Sequence, residues 1–451
     1  MKIRALTYGI SLSLDDFVCN KDALVKRFEV AKRNLSLALA RLNADGYEVQ
    51  TVRLSFNRIE DWLDLNTYEE QMVLIAELVD RCDVASHVAL GCCTTAAYIP
   101  LIPKLFTYSN KFNGSVHISM QSQDGVYTLP DFNICAEAAK VALHLSTLGD
   151  GNGTENFRFC IGFNCQPGTP FLPVSFFHST HAHSDGLSVG LENGYFLFLA
   201  FHGFVDSSTK SYVVDKPATE AAGEGTAADR TAVFAAARRN LKDVILQALK
   251  PLQARMVAIC EECSNVKYLG IDASLNPGLT QLDSVGAGME WLLADPELSA
   301  ADDLNDASKL AGYSSAGCFG SFGTLAVVSL VTSALKQLVT EKEQNGLLLV
   351  GYNGLMLPVM EDLVLAKRAL GDSSRPKVGE KAVPLIGETM YTLRDLLVFS
   401  TICGVGLDTV PIPGEVESSR HLYPMLCRFL YCGMRCSLDY YTFAFTISCV
   451  M

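Results

Sequence analysis

The chain opens with strand-like alternation over residues 3–10 (IRALTYGI). Residues 21–42 then carry Leu24, Phe28, Val30, Ala31, Leu35, Leu37, Leu39 and Leu42 at helical spacing. Asp45-Gly46 ends that helix, and residues 47–54 (YEVQTVRL) read as a second strand. Strand, long helix and strand within about 50 residues make a βαβ unit, which predicts a parallel strand pair. The alternation continues with a helix at 71–81, strands at 84–90 and 115–120, and a helix at 135–146. Residues 187–191 and 195–201 read as a strand pair around the turn Glu192-Asn193-Gly194. A polar loop at 206–225 leads to the longest helix, 231–264, and then a strand at 266–272. Residues 324–335 (TLAVVSLVTSAL) read as a buried helix. The sum is an α/β protein. Nothing repeats with a 20–50-residue period and no long linker divides the chain, so one domain over residues 1–430 is expected, with 206–229 and 371–381 as surface excursions.

Composition narrows the function. With 49% hydrophobic and 19% charged residues, the 451-residue chain is too apolar to be disordered. A net charge of -13 argues against general binding of nucleic acid or anionic membranes, which needs clustered cations. No run of 18 uncharged apolar residues predicts a membrane span. The first residues do not read as a secretory leader, so the fifteen cysteines are expected to be reduced, mostly buried thiols of a cytoplasmic protein. A small-molecule ligand is the expected partner, a homo-oligomer is left open, and the cofactor is unknown.

Several motifs offer chemistry, each beside a plainer alternative. Residues 317–323 (GCFGSFG) open a helix and could cradle an anion on backbone N–H groups, but the polar stretch before them is not a strand, so a tight packing loop is the alternative. Residues 178–185 (HSTHAHSD) are the densest set of metal-ligand types; the spacing fits no standard zinc pattern, and a solvated loop with one useful histidine is the alternative. Cys260 and Cys263 have CxxC spacing late in a long helix, and Cys92-Cys93 are adjacent; buried structural thiols are the alternative for both. Near the C-terminus a helix delivers Cys403, followed by Gly404-Val405-Gly406 and Asp408. A thiol at a helix end beside two glycines suits a site, or a buried cysteine before a tight turn.

The run CGVGLDTVPIPG at 403–414, with GYNGLMLPVMEDLVLAKRAL at 351–370, resembles the domain of unknown function 711 family. KIRALTYGISL at the start, PFLPVSFFHS at 170–179, GLENG at 190–194 and GIDASLNP at 270–277 extend the resemblance collinearly. It implies a fold similar to pyruvate formate-lyase: a ten-stranded α/β barrel of two parallel half-barrels, with helices outside. The motif positions it carries over are His178, Cys403 and Asp408 as the catalytic set. Glu192, Asp272, Ser274, Asn353, Gly354, Glu361, Gly404 and Gly406 are carried over for ligand binding. No metal ligand is assigned. No glycyl radical loop of the Arg-Val-Ser-Gly-Tyr type is present, so the parent radical chemistry is not expected. After Gly414 the sequence departs from the family, and residues 431–451 read as a divergent or truncated tail. The reading is an uncharacterised protein, expected to be an enzyme for a small anionic or carbonyl metabolite with His178, Glu192, Asp272, Cys403 and Asp408 in one pocket. A non-catalytic ligand- or metal-binding protein is the alternative.

Overall fold

The computed structural model of the chain describes residues 1–118, 120–123, 126–151, 153–163, 165–178, 185–201, 227–293, 317–321, 323–371, 391–403, 405–408, 410–413, 443–445 and 447–450. A nine-stranded sheet organises them. Its labelled strands are β1 (Lys2–Ile10), β2 (Val52–Phe56), β3 (His87–Cys93), β4 (Phe112–Ile118), β5 (Phe159–Phe163), β6 (Asp185–Glu192), β7 (Val266–Asp272) and β8 (Phe443–Phe445). The spatial order is β7-β6-β1-β2-β3-β4-β5-β8, and the short strand Glu48–Val49 also pairs with β1. Strands β1 to β5 are all parallel. Strand β6 lies antiparallel to β1, and β7 runs parallel to β6. The expected βαβ unit is present, with helix Lys21–Ala44 as its crossover.

The two faces of the sheet differ in composition, and that difference makes the site. On one face Leu6, Tyr8 and Ile10 of β1, Leu54 and Phe56 of β2, Val116 of β4, Ile161 of β5 and Leu187 and Val189 of β6 join a single core. Helices Lys21–Ala44, Tyr68–Arg81, Phe132–Ser146 and Ala227–Glu262 contribute Phe28, Ile75, Ala138 and Leu241 to the same core. The alternate positions are small or polar: Thr7, Gly9, Arg53, Ser55, Ser115, His117, Cys160, Gly162, Ser188 and Gly190. Strand side chains alternate between faces, so this second face has room for another layer.

Residues 165–178 fill that room. Phe177 N–H donates to the Phe56 carbonyl at 2.8 Å, and the Thr7 hydroxyl donates to the Pro170 carbonyl at 2.8 Å. The Ser175 hydroxyl meets that of Ser55 at 2.8 Å. A methyl group on Gly9 would come within 2.3 Å of the Phe177 ring, and one on Gly190 within 2.6 Å of Phe171. The segment therefore packs into the space left at Gly9 and Gly190 and bonds to the small polar side chains beside them. His117 is edge-on to Phe176 with ring centroids 5.0 Å apart.

One expected element changes. Residues Tyr195–Phe201 form a helix rather than the second strand of a hairpin. Phe196, Leu197 and Ala200 are buried at helical spacing, and β6 pairs with β1 and β7 instead. The sheet has two end strands, so a closed ten-stranded barrel is not seen among the described residues, although isolated parallel bridges bring Leu349 and Leu355 beside Ile271 and Leu275. Part of the region expected as a divergent tail supplies β8, antiparallel to β5. Residues 206–226 and 372–390 lie outside the described residues.

Candidate functional site

A cavity of about 100 Å³ opens between the sheet and the segment at 165–178. Arg4, Arg53 and Cys160 form its sheet side, Phe171, Leu172, Pro173 and Val174 cover it, and Asn276, Tyr352, Met356, Glu361, Val405 and Asp408 close it. A wider depression between Val18 and Lys26 is shallow, comes from one surface corner, and holds no nominated residue.

The sheet aims both arginines. Arg4 is the extra residue of a β-bulge: Ile3 pairs with Leu191 and Ala5 with Gly190, leaving Arg4 between them. Bulges re-aim side chains near sites. Its guanidinium is held by Glu361 and by the Pro277 carbonyl at 3.4 Å. Arg53 alternates with Leu54 and Phe56 and so faces away from the core. Its Nε donates to the Thr51 hydroxyl at 2.9 Å, and among the described residues no carboxylate lies within ion-pair distance of its guanidinium. Arg53 and Tyr352 are half-buried and line the cavity. Burial, with repulsion from Arg4, brings the Arg53 pKa down to about 9, so it remains a cation at neutral pH. The Tyr352 hydroxyl is pushed far up, first by burial and then by Cys165, Cys160 and Asp408 nearby.

The turn carrying Tyr352 is built by Asp272. Its carboxylate, at the end of β7 and 0% exposed, accepts from Tyr352 N–H at 2.8 Å, Asn353 N–H at 3.0 Å, Ser274 N–H at 2.9 Å and the Ser274 hydroxyl at 2.6 Å. Asn353, at φ 49°, returns a bond by accepting from Ala273 N–H at 3.0 Å. Gly354 N–H donates to Ser274 Oγ at 3.0 Å. Burial raises the Asp272 pKa while these hydrogen bonds pull it back. Gly351 must be glycine: its φ is 84°, and a Cβ would lie 2.1 Å from Asp272 Oδ2.

Of the nominated residues, Asp408 and Glu361 line the cavity, and Asp272, Ser274, Asn353 and Gly354 position Tyr352 on its wall. Val405 brings the C-terminal segment to this turn, since a Cβ on Gly354 would be 2.1 Å from Val405 Cγ2. Gly406 has φ 94°, as a tight turn after the thiol requires, whereas Gly404 lies outside the described residues. Cys403 itself is 2% exposed and belongs to the hydrophobic core rather than the cavity lining. His178 is exposed and does not line the cavity, and residues 179–184 lie outside the described residues. Glu192 sits in a neighbouring network with Lys2 at 2.9 Å and Gln50 at 2.7 Å; Lys2 also bridges to Asp283 at 2.8 Å. The bonds to Asp283 and Glu192 raise the Lys2 pKa. Of the five residues expected to converge, one, Asp408, faces this cavity.

The other motifs resolve as structure. Two amides of the glycine loop are taken: Phe319 N–H donates to Glu290 at 2.8 Å and Gly320 N–H to Thr324 Oγ1 at 3.0 Å. Cys93 and Cys260 are buried and their thiols are pushed up to about 12, which disfavours the reactive thiolate. No cluster of three or more metal-ligating side chains occurs among the described residues, and no described helix is long and apolar enough to cross a membrane.

The residues sequence reasoning missed are Arg4, Arg53, Asn276, Tyr352 and Cys160. A signal for Arg53 exists. Parallel strands are usually apolar throughout, and an arginine inside VRLSF interrupts that pattern on the face where the next alternate position is serine.

A family model described as Uncharacterised ACR (DUF711) matches residues 1–313 and 295–423. No curated protein matches the chain.

Proposed function

The chain belongs to that family of uncharacterised proteins, DUF711, and on this premise we propose that it binds a small organic anion in the cavity between Arg4 and Arg53. The observation that carries the reading is the guanidinium of Arg53, which faces the cavity without a carboxylate partner and beside a second arginine. A guanidinium presents a fork of donors matched to carboxylate or phosphate, and its value rises away from bulk water. At about 100 Å³ the cavity is far below the roughly 300–1,000 Å³ of drug-sized pockets, so the ligand has few heavy atoms.

A second reading, that the protein is an enzyme for this metabolite, draws support from Asp408. Asp408 lines the cavity together with Cys160 and Tyr352, where an acid–base group would meet the ligand. In this reading Glu361 orients Arg4, and Asp272, Ser274, Asn353 and Gly354 hold the Tyr352 turn. The finer fold reading, two half-barrels of the pyruvate formate-lyase type, draws support from five parallel strands followed by two of opposite direction. A cytoplasmic site of action goes with the reduced thiols.

Thermal shift against a panel of small carboxylates and phosphate tests the reading. Millimolar anion is expected to stabilise the wild-type chain and not Arg53→Gln. Equal shifts in both proteins, or none in either, would overturn it.

A further inference from the structure

Arg4 and Arg53 are the cations of the cavity lining, and hydrogen bonds tie them together. Arg53 Nε donates to the Thr51 hydroxyl at 2.9 Å, and that hydroxyl donates to the Arg4 carbonyl. The Arg4 guanidinium turns instead to the Pro277 carbonyl at 3.4 Å and to the Glu361 carboxylate. A firm turn delivers Glu361 there. Its N–H and that of Asp362 both donate to the Pro358 carbonyl at 3.1 Å. Asp362 is 1% exposed. Its carboxylate accepts from the Ser284 hydroxyl and Val285 N–H at 2.7 Å, Val364 N–H at 3.0 Å and Leu365 N–H at 2.9 Å. The backbone therefore presents Glu361 to the cavity independently of its pairing with Arg4. An ion pair whose side chains are 26% and 30% exposed adds little stability, so its main effect is on the charge of the cavity.

Resting on the anion-binding reading above, we propose that Glu361 sets the charge of the ligand: by occupying Arg4 it leaves one guanidinium, Arg53, for the anion, and the site takes a singly charged anion in preference to a doubly charged one. One guanidinium fork matches one carboxylate through two parallel hydrogen bonds. A second negative group on the ligand would need Arg4, and there it would meet the Glu361 carboxylate already bonded to that guanidinium. Like charges at such range oppose each other. Asn276, 3% exposed and on the lining, can hydrogen-bond a neutral oxygen of the ligand but supplies no countercharge. Removing the Glu361 charge frees the Arg4 guanidinium while the bonds of Asp362 keep the turn in place. Two neighbouring guanidinium groups then suit a dianion.

Calorimetric titration of the full chain with lactate and malonate at neutral pH tests this, since the two are close in size and carry one and two charges. Wild-type protein is expected to bind lactate about tenfold or more tightly than malonate. In Glu361→Gln the ratio of lactate to malonate affinity is expected to fall by about tenfold or to invert. Glu361→Ala gives the same readout should the first variant fail to fold. A general loosening of the turn would weaken both ligands and leave the ratio where it was. Wild-type protein that binds malonate at least as tightly as lactate would overturn this inference and leave the anion site standing. A preference for lactate that survives loss of the Glu361 charge would do the same. Failure of both compounds to bind any of these proteins would remove the anion reading as well.

Discussion

Replacing Asp272 with alanine removes the acceptor on which the 351–354 turn is hung. Four donors point at its carboxylate, and two of them, the Ser274 N–H and hydroxyl, are fully buried. Each buried donor left without a partner costs about 1–3 kcal/mol. The two Ser274 donors set a range of roughly 2–6 kcal/mol, and the half-buried Tyr352 and Asn353 amides add less, because water reaches them. Against this, the mutant no longer desolvates a carboxyl, which offsets part of the loss. About 3–5 kcal/mol of destabilisation is expected. For a chain of 451 residues, an unfolding entropy near 2.1 cal/mol/K per residue makes 1 kcal/mol worth about 1 °C, so Tm should fall by about 3–5 °C. Asp272→Asn keeps one acceptor oxygen and should lose less. The pH dependence has a definite sign. Burial raises the folded pKa of Asp272, so the folded state holds its proton more tightly than the unfolded state. That contribution is present below the unfolded carboxylate pKa and is lost as pH rises through the folded one. The advantage of wild type over Asp272→Asn should therefore be largest in acid and shrink as pH rises above about 4. Calorimetry from pH 4 to 8 checks both. A fall of under 1 °C for Asp272→Ala would show that the turn is held by other contacts and would refute the network's role in placing Tyr352.

Three further outcomes are expected. Gly9→Ala puts a methyl group within 2.3 Å of the Phe177 ring, so it should cost about 1–3 kcal/mol and increase proteolysis within 165–178; unchanged cleavage would contradict the docking of that segment. His117 is buried, and burial holds its pKa down to about 3 against a backbone bond to Val174. Its contribution to stability is full above the unfolded histidine pKa of about 6.5 and is lost as pH falls toward 3, so the acid limb of the stability curve should flatten in His117→Gln; an unchanged slope counts against the burial. The eleven cysteines whose side chains are described are thiols rather than disulfides, so a thiol titration in denaturant without reductant should find at least eleven, and fewer would overturn the reduced-chain reading.

The regular elements were legible because their apolar periods are strong. Val266–Asp272 matches the expected strand, and the long helix and the βαβ unit follow the spacing of their leucines. The helix at Tyr195–Phe201 was not legible, because seven largely aromatic and aliphatic residues suit a strand equally well until Asn193 and Gly194 lock onto the Asn276 carbonyl at 3.1 and 2.9 Å. The site was legible only in part. Asp272 and Gly406 announce themselves by turns, yet Asp272 serves the backbone. Arg4 and Arg53 were invisible as a pair because a β-bulge and strand order, neither of them local, bring residues 49 positions apart to one wall.

The account rests on the cavity at Arg53 holding an anion. A crystal structure of the wild-type chain at saturating lactate, beside one of Arg53→Gln under the same conditions, addresses that directly. The account predicts density for a carboxylate in bidentate contact with the Arg53 guanidinium, absent from the variant. A cavity without that density in the wild-type crystal, or the same density in both proteins, would contradict it.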